Sequence, residues 1–192
     1  MILYFITRNK HKLIEIDNIL KQIVPTVQLQ IFNNVRKIEI QHNNLREIVK
    51  FAVQTATRYI TNKPFIIEDA GLFINALKGF PGPFSHYVYK TIGIKGILKL
   101  MENVENRTAY FKSVIGLYFN DDIHIFEGVA EGVISRKARG EYGFGFDPIF
   151  IPQGCSKTFA EMRLEEKNMH SHRGKSARAL ALFLKETMPT FS

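Results

Sequence analysis

The order in which apolar patterns follow one another constrains the fold of this chain more than any other feature. Residues 2–6, 27–32 and 65–67 are short apolar runs typical of buried strands, and apolar positions at helical spacing follow the first two of them. After residue 107 the pattern changes to β-branched and aromatic runs, which predict antiparallel strands. Strands that first alternate with helices and then cluster indicate an α/β fold. We expect a two-lobed mixed β-sheet with flanking helices and a central active-site cleft.

The same patterns assign individual segments. A turn at Asp121 and Asp122 separates a predicted strand at 107–119 from a hairpin partner at 123–127, and a further strand is predicted at 128–135. The remaining predictions are a weakly extended segment at 35–40, helices at 45–60 and 87–101, and a last helix that includes 177–184.

Composition is that of an ordinary folded protein and leaves the partners open. The 192 residues suffice for one domain, residues 1–192, and 45% of them are hydrophobic. The single cysteine, Cys155, excludes an internal disulfide, and no apolar stretch is long enough to span a bilayer. We therefore expect a cytoplasmic protein without membrane contact. The net charge of +8 favours polyanionic ligands, but the cations are scattered, so plain solubility explains the surplus equally well.

A polar turn from Thr7 to Lys12 joins the first predicted strand to the first helix. The N-terminus of a helix offers unpaired N–H groups and the positive end of the helix dipole, and both favour anions. Thr7 and Asn9 can donate side-chain hydrogen bonds, and Lys12 adds charge. The turn is therefore a candidate phosphate site, while a simple helix cap followed by exposed lysines is the alternative.

Two adjacent carboxylates, Glu68 and Asp69, follow the apolar run at 65–67, so we expect them at the carboxyl end of a strand. Ligands of open α/β sheets bind at that end of the strands. Carboxylate pairs commonly hold Mg²⁺ together with substrate phosphates. The alternative is a capping aspartate beside a solvated glutamate.

The stretch 140–175 combines glycines, phenylalanines and charged groups. Gly143 and Gly145 alternate with phenylalanines at 144 and 146, and glycine lets the backbone approach a ligand closely. Aromatic faces beside cations suit a nucleotide, with a base to stack on and phosphates to neutralise. The alternative is a turn with buried aromatics followed by a solvated helix start. The charged residues of this stretch that we single out are Asp147, Lys167, His172, Arg173 and Lys175.

Common nucleotide and hydrolase motifs do not occur. There is no G-x-x-x-x-G-K-[ST], no complete G-x-G-x-x-G, no H-E-x-x-H and no G-x-S-x-G. A site that handles phosphates in this chain must therefore use a different cradle.

Seven short segments occur in an order that resembles one known family. They read T-x-N-x-x-K, E-D-A-G-L, G-x-P-G-P-F-S, G-F-G-F-D-P-I-F, K-T-F-A-E-M, E-E-K-N and S-H-R-G-K, and they run from Thr7 to Lys175. The chain resembles the inosine/xanthosine triphosphate pyrophosphatases, which hydrolyse non-standard purine nucleoside triphosphates such as ITP, dITP and XTP to the monophosphate and pyrophosphate. The resemblance implies the two-lobed α/β fold, a Mg²⁺ requirement and a homodimer. We expect no stable nucleic-acid partner.

The resemblance also implies roles for particular residues. It places the metal on Glu39, Glu68 and Asp69, and it makes Asp69 the catalytic base as well. The substrate contacts that it implies are Thr7, Arg8, Asn9, Lys10, His11, Lys12, Ala70, Phe144, Gly145, Phe146, Asp147, Lys167, His172 and Arg173.

Three positions depart from the family pattern. Phe146 stands where tyrosine is frequent, and Ala70 stands where serine is frequent. Gln54 aligns with a lysine that many relatives carry on the second helix, and Lys50, one turn away, is the candidate replacement. Three rival interpretations stay open: a Maf-like pyrophosphatase with another base preference, a nucleic-acid-binding module without catalysis, and a structural protein that has lost activity.

Overall fold

In the computed structural model, which describes residues 1–33, 35, 37–60 and 63–188, seven strands of the described residues form one mixed sheet. The strand order is β2-β1-β3-β5-β6-β7, and the short β4 pairs with β3. The β1 strand runs parallel to β2 and β3, and the other pairings are antiparallel. The strands are β1 Ile2–Phe5, β2 Gln28–Ile31, β3 Phe65–Ile74, β4 Pro81–Gly82, β5 Thr108–Phe119, β6 Asp122–Ile134 and β7 Phe150–Pro152.

Helices flank the sheet, and polar side chains start several of them. Asn9 caps α1, Asn44 caps α2 and Ser171 caps α6, each by accepting backbone N–H groups of the first turn. No described helix is long and apolar enough to cross a membrane. The helices are α1 Lys10–Ile23, α2 Leu45–Ala56, α3 Ser85–Thr91, α4 Gly93–Leu100, α5 Leu164–His170 and α6 His172–Thr187.

The core divides into three clusters. Two of them lie on opposite faces of one part of the sheet and form one lobe, and the third forms the other lobe. Helices α1 and α6 cover one face of the sheet, where Leu20 and Leu180 pack on Leu3 and Ile66. Helix α2 covers the opposite face. The third cluster gathers the far ends of β3 and β5 with α3, α4 and the region of β7. The predicted α/β class, mixed sheet and two lobes are therefore confirmed.

The predicted end of the third strand is wrong. β3 continues through Glu68 and Asp69 to Ile74, and both acids pair with β5 in mid-strand. The parallel neighbour β1 stops pairing at Ile66, so the acids lie just beyond its carboxyl end. The expected edge of the sheet is the right one, but the strand runs past it because Gly71 and the apolar residues after it extend the pairing with β5.

Three further segments differ from the prediction. The predicted strands at 123–127 and 128–135 form one strand, β6, in which Gly128 is needed because a Cβ there would lie 2.1 Å from the carbonyl oxygen of His172. The predicted helix at 87–101 is split where Gly93 adopts a φ of +61°. In segment 35–40 the described residues 35 and 37–40 form no strand, and residue 36 lies outside the described residues. Residues 61–62, which follow α2, lie outside them as well.

Candidate active site

A cleft of about 880 Å³ lies between the two lobes. Its wall is built from the β1–α1 turn, the segment before α2, the middle of β3, the start of α3, the loop before β7 and the start of α6. A volume of this size is typical of small-molecule sites. The predicted residues that line it are Thr7, Arg8, Asn9, Lys10, His11, Lys12, Glu39, Glu68, Asp69, Ala70, Phe144, Gly145, Phe146, Asp147, His172 and Arg173.

One end of the cleft holds acids and lysines in alternation. Lys12 Nζ lies 2.7 Å from Glu68 Oε2 and 3.9 Å from Asp69 Oδ1. Lys37 Nζ lies 2.6 Å from Glu39 Oε1 and 3.6 Å from Asp69 Oδ2. Burial lowers the pKa of Lys37, but the carboxylates of Asp69 and Glu39 outweigh it and raise that pKa above its ordinary value. Lys37 is therefore charged, and each of the two lysines stands between two acids.

Glu68 is the most enclosed acid of this end. Its Oε1 accepts hydrogen bonds from Ser113 Oγ at 2.8 Å and from Arg173 Nε at 3.0 Å. Its Oε2 is buried and forms an ion pair with Lys12 Nζ at 2.7 Å, and among the described residues no donor is aligned with it as a regular hydrogen bond. Burial raises the pKa of Glu68, while Arg173 and Lys12 outweigh that effect and hold the pKa well below its usual range. The carboxylate is thus charged, with one oxygen fixed and the other turned to the lysine.

The acids of this end suit a hard cation only in part. In the described ranges no three His, Cys, Asp or Glu side chains come close enough together to hold a metal, because Lys37 stands between Glu39 and Asp69. Glu68 Oε2, which lacks an aligned donor, and the half-buried Asp69 supply carboxylate oxygens of the kind that Mg²⁺ prefers. Glu68 and Asp69 therefore fit the ion, and Glu39 would join them if Lys37 moved away.

Beneath the cleft lies a buried network of ion pairs. Lys167 Nζ lies 2.7 Å from Asp147 Oδ2 and also pairs with Glu15, and Arg173 Nη1 lies 2.6 Å from Glu15 Oε2. Burial raises the pKa of Glu15, but Arg173 and Lys167 outweigh it, so that the pKa is lowered. Burial raises the pKa of Asp147 above its ordinary value. Lys167 does not line the cleft itself; it anchors Asp147, which does.

His172 is enclosed by the same network. Its ring stacks on Phe111 with centroids 4.6 Å apart, and its Nδ1 has no hydrogen-bond partner among the described residues. Burial, followed by the charges of Arg173 and Lys167, holds the pKa of His172 well below its ordinary value. The imidazole is therefore neutral at neutral pH, and one of its ring nitrogens carries a proton that it can donate.

The glycine-rich loop presents one aromatic face to the cleft. Phe144 is half-buried, stacks on His11 at 5.2 Å between centroids, and has Lys167 and Arg173 within 5.4 Å of its ring centre. Phe146 is only 3% exposed and packs edge-on against Tyr89 as part of the core. A base can therefore stack on Phe144 more readily than on Phe146.

The same loop requires glycine for a steric reason. Gly143 has a φ of +72°, and a Cβ there would lie 2.2 Å from Asp147 Oδ2. That oxygen accepts the backbone N–H of Phe144 at 2.8 Å. Any side chain at position 143 would displace the aspartate that holds the loop.

With this geometry in view, the comparison with known proteins decides the family. The sequence model of the Ham1 family matches residues 3–183. This chain belongs to the Ham1 family. Among similar proteins, the "dITP/XTP pyrophosphatase" of Hyperthermus butylicus is 51% identical over 183 residues, which are 95% of this chain and 94% of that protein. The protein of the same name from Pyrococcus horikoshii is 50% identical over 96% of this chain and 97% of its own length.

Solved structures agree with the Ham1 assignment. A HAM1 protein from Coxiella burnetii superposes with a TM-score of 0.85 at 31% identity and covers 97% of this chain and 100% of its own. A nucleoside-triphosphatase / dITP/XTP pyrophosphatase from Mycobacterium abscessus gives a TM-score of 0.71 at 29% identity, over 96% of this chain and 99% of its own.

Three residues of this Ham1-family site were missed by the reasoning from sequence: Glu15, Lys37 and Ser113. A signal existed for Glu15, because it lies on the apolar face of α1 beside Ile16 and Ile19 and one turn after Lys12. No local pattern marks Lys37 or Ser113. Two other expectations concern α2: Gln54 and Lys50 are both exposed, and neither lines the cleft.

Proposed function

We propose that this Ham1-family chain hydrolyses non-standard purine nucleoside triphosphates (ITP, dITP and XTP) to the nucleoside monophosphate and pyrophosphate, and so removes them from the nucleotide pool. The observation that carries the proposal is the cleft itself, which joins an end of acids and lysines to an end with an aromatic face, a neutral imidazole and a guanidinium. Relatives at 51% and 50% identity bear the name of this activity.

In this proposal the β1–α1 turn binds the phosphates. Asn9 Oδ1 accepts the N–H groups of His11 and Lys12, which fixes the turn and aims the helix N-terminus at the cleft. Lys12 adds an ammonium that is itself partly exposed to the cleft. Fixed dipoles and charges of this kind stabilise phosphate oxygens without reorganisation during the reaction.

Asp69 is the proposed base. Its Oδ1 accepts the N–H of Ala70 at 2.9 Å, so its Oδ2 is the oxygen available to a water molecule. In the proposed step Oδ2 accepts the proton of a water whose oxygen attacks the α-phosphorus, and pyrophosphate leaves. Mg²⁺, which Glu68 and Asp69 would hold with Glu39 as a third ligand, supplies Lewis-acid stabilisation of the phosphate charge when bound.

Arg173 and His172 are the proposed readers of the base. Arg173 uses Nε and Nη1 on Glu68 and Glu15, and its Nη2 makes no hydrogen bond to another described residue. Arginine only donates, and the neutral imidazole can present an N–H, so both suit a 6-oxo purine and mismatch the 6-amino group of adenine. A site built on such hydrogen bonds can reject the wrong partner by roughly 10⁴ or more.

A panel of nucleotides tests the reaction and the selectivity together. It contains inosine, deoxyinosine, xanthosine, adenosine, guanosine and pyrimidine triphosphates with Mg²⁺, and pyrophosphate and orthophosphate are measured separately. We expect pyrophosphate chiefly from the inosine and xanthosine compounds. Orthophosphate would indicate attack at the γ-phosphorus and contradict the mechanism, and no product would contradict the function.

A substitution tests the reader of the base. Arg173→Ala is expected to lose much of the preference for inosine over adenosine triphosphate. Because alanine also leaves Glu15 and Glu68 without their guanidinium, Arg173→Lys is measured beside it, as it keeps the positive charge. An unchanged preference in both variants would remove Arg173 from this role.

The homodimer rests on the resemblance and the cytoplasmic location on the single cysteine, and we propose both. Sedimentation velocity of the purified chain over a range of concentrations checks the first, and fractionation of the source cells checks the second.

A further inference from the structure

Gln54 stands on α2 where many relatives carry a lysine, and a different lysine of this chain, Lys37, lies at the cleft. Neither Gln54 nor Lys50 lines the cleft, so α2 contributes no cation there. Lys37, which lies between β2 and α2, does line it. Lys37 is thus a second lysine that faces Asp69 beside Lys12, and it comes from a segment that the motifs did not mark.

The contacts of Lys37 mirror those of Lys12. The two ammoniums share Asp69, with Lys12 near Oδ1 at 3.9 Å and Lys37 near Oδ2 at 3.6 Å. Both also approach the backbone oxygen of Glu68, at 3.4 Å for Lys12 and 3.5 Å for Lys37. Lys12 and Lys37 therefore lie on either side of the Asp69 carboxylate, next to Glu68 on β3.

Lys37 is held loosely enough to change partners. Only its contact with Glu39, at 2.6 Å, is short, and the side chain of Glu39 is 53% exposed. Water can screen the Glu39 side of this pair, which weakens it, although the side chain of Lys37 itself is only 18% exposed. Residue 37 also belongs to no helix or strand. An anion of higher charge in the cleft can therefore draw this ammonium away from Glu39.

We propose that Lys37 is a phosphate-binding residue of this cleft, which supplies the second ammonium for the triphosphate and competes with a divalent cation for Asp69 and Glu39. The proposal rests on the proposed function and adds a residue to it. Many relatives carry a lysine on α2 where this chain has Gln54. In this chain Lys37 provides that positive charge, so the triphosphate contacts a cation from the β2–α2 segment and not from α2. The competing explanation is that Lys37 only neutralises the acids and never touches the substrate.

Binding measured without turnover separates the two explanations. The ligands are the α,β-methylene analogue of inosine triphosphate and inosine monophosphate, each with Mg²⁺, titrated calorimetrically into wild type, Lys37→Met and Lys50→Met. Lys50→Met removes the same charge from an exposed helix position outside the cleft. We expect Lys37→Met to weaken the triphosphate analogue about tenfold to a hundredfold, as loss of one charged hydrogen bond does. Its affinity for the monophosphate and both affinities of Lys50→Met should stay close to wild type.

Two outcomes would overturn the proposal. If Lys37→Met binds the triphosphate analogue as wild type does, or if Lys50→Met loses as much, Lys37 is not a phosphate ligand. A second titration uses Mg²⁺ alone: because a competing ammonium is gone, Lys37→Met should bind Mg²⁺ more tightly than wild type, and unchanged or weaker binding would refute the shared site. Circular dichroism melting confirms that each variant is folded.

Failure of the proposed function can be told apart from failure of this inference. If wild type releases no pyrophosphate from any nucleotide, the function fails while the role of Lys37 is still measurable with inorganic tripolyphosphate as the probe. Weaker tripolyphosphate binding by Lys37→Met than by Lys50→Met would keep Lys37 as a polyphosphate ligand, and equal binding would remove it.

Discussion

The two charged regions of this protein hold similar residues in opposite ways. In the buried network the side chains of Glu15, Lys167 and Arg173 are at most 5% exposed, and their partners lie within 3.0 Å. At the end of the cleft that holds acids and lysines, which we call the open end, the side chains of Asp69 and Lys37 are 17% and 18% exposed. Lys37 Nζ lies 3.6 Å from Asp69 Oδ2. A charge removed from water must be fully paired, whereas a charge that still reaches water can exchange a partner for water or for a ligand.

This difference explains how the cleft can have a fixed framework and still contain charges that can change partners when a ligand binds. The buried pairs connect α1, α5, α6 and the loop before β7, so they fix the positions of these elements around the cleft. The open pairs connect only the segments that would meet phosphates. Glu68 belongs to both regions, with Oε1 held by Arg173 and Ser113 and Oε2 turned to Lys12.

A substitution at the open end should lower the activity of the protein without lowering its stability. Asp69→Asn keeps an oxygen for the N–H of Ala70 but can no longer accept a proton. We expect the kcat of pyrophosphate release to fall about 10²–10⁴-fold, while the melting temperature stays near that of wild type. Wild-type turnover would show that Asp69 is not the base, and a collapse of the melting temperature would show that the open end is structural after all.

A substitution in the buried network should instead lower the free energy of unfolding. Lys167→Met leaves Asp147 and Glu15 facing each other with one cation fewer, and breaking a buried ion pair on one side costs about 3–5 kcal/mol. Denaturant unfolding measures the loss. The control is Lys99→Met, whose pair with Glu102 is 80% and 54% exposed and should cost about 0–1 kcal/mol. Similar losses in the two variants would erase the distinction between the regions.

The buried histidine predicts a pH dependence with a definite sign. The native pKa of His172 lies well below the ordinary value of 6.5, so below pH 6.5 the unfolded chain binds a proton that the native protein does not. Stability is therefore expected to fall as pH decreases from 6.5 to about 5, with a slope of at most about 1.4 kcal/mol per pH unit from this group. The lowered pKa values of Glu15 and Glu68 act only below their ordinary value of 4.5, where their contribution is lost as pH falls.

Urea unfolding across that pH window isolates His172. His172→Gln should flatten the slope between pH 6.5 and 5, and the same change at the exposed His86 is the control. A slope that persists in His172→Gln would mean that another group causes it.

The smallest effect is expected where the two regions meet. Ser113→Ala removes one hydrogen bond from Glu68 Oε1, which should cost about 1 kcal/mol of stability and a few-fold in kcat/KM. The matched control is Ser176→Ala, since Ser176 contacts Ser113 and the carbonyl of Arg173 but not Glu68. If both variants lose the same activity, Ser113 does not act through Glu68.

Reasoning from the sequence predicted the fold class because that class depends on local patterns. Buried strands and amphipathic helices each leave a periodic signature, and their order indicated a mixed sheet with a cleft. The errors occurred where a pattern is ambiguous. Glu68 and Asp69 looked like the end of β3 but are mid-strand, and Gly128 looked like a break but is a site of close approach to α6.

The candidate site was recovered in large part through motifs. The Thr7–Lys12 turn, the loop at 143–147 and the start of α6 were expected to bind one ligand, and all three line one cleft. Phe146 was expected as an aromatic face and does line the cleft, but it is only 3% exposed because its ring packs against Tyr89. The roles assigned to the lining residues remain predictions.

The amino-acid sequence by itself determined the order of strands and helices, the capped turn before α1 and the glycine positions of the loop before β7, because each depends on neighbouring residues. Only the tertiary structure decided which charges meet. Glu15 and Arg173 are 158 residues apart, and Glu68 and Arg173 are 105 apart. Ion pairing depends on distance in space and on exclusion of water, and neither quantity is visible along the chain. For the same reason Lys37 became a candidate ligand only once β3 and the segment before α2 were seen side by side.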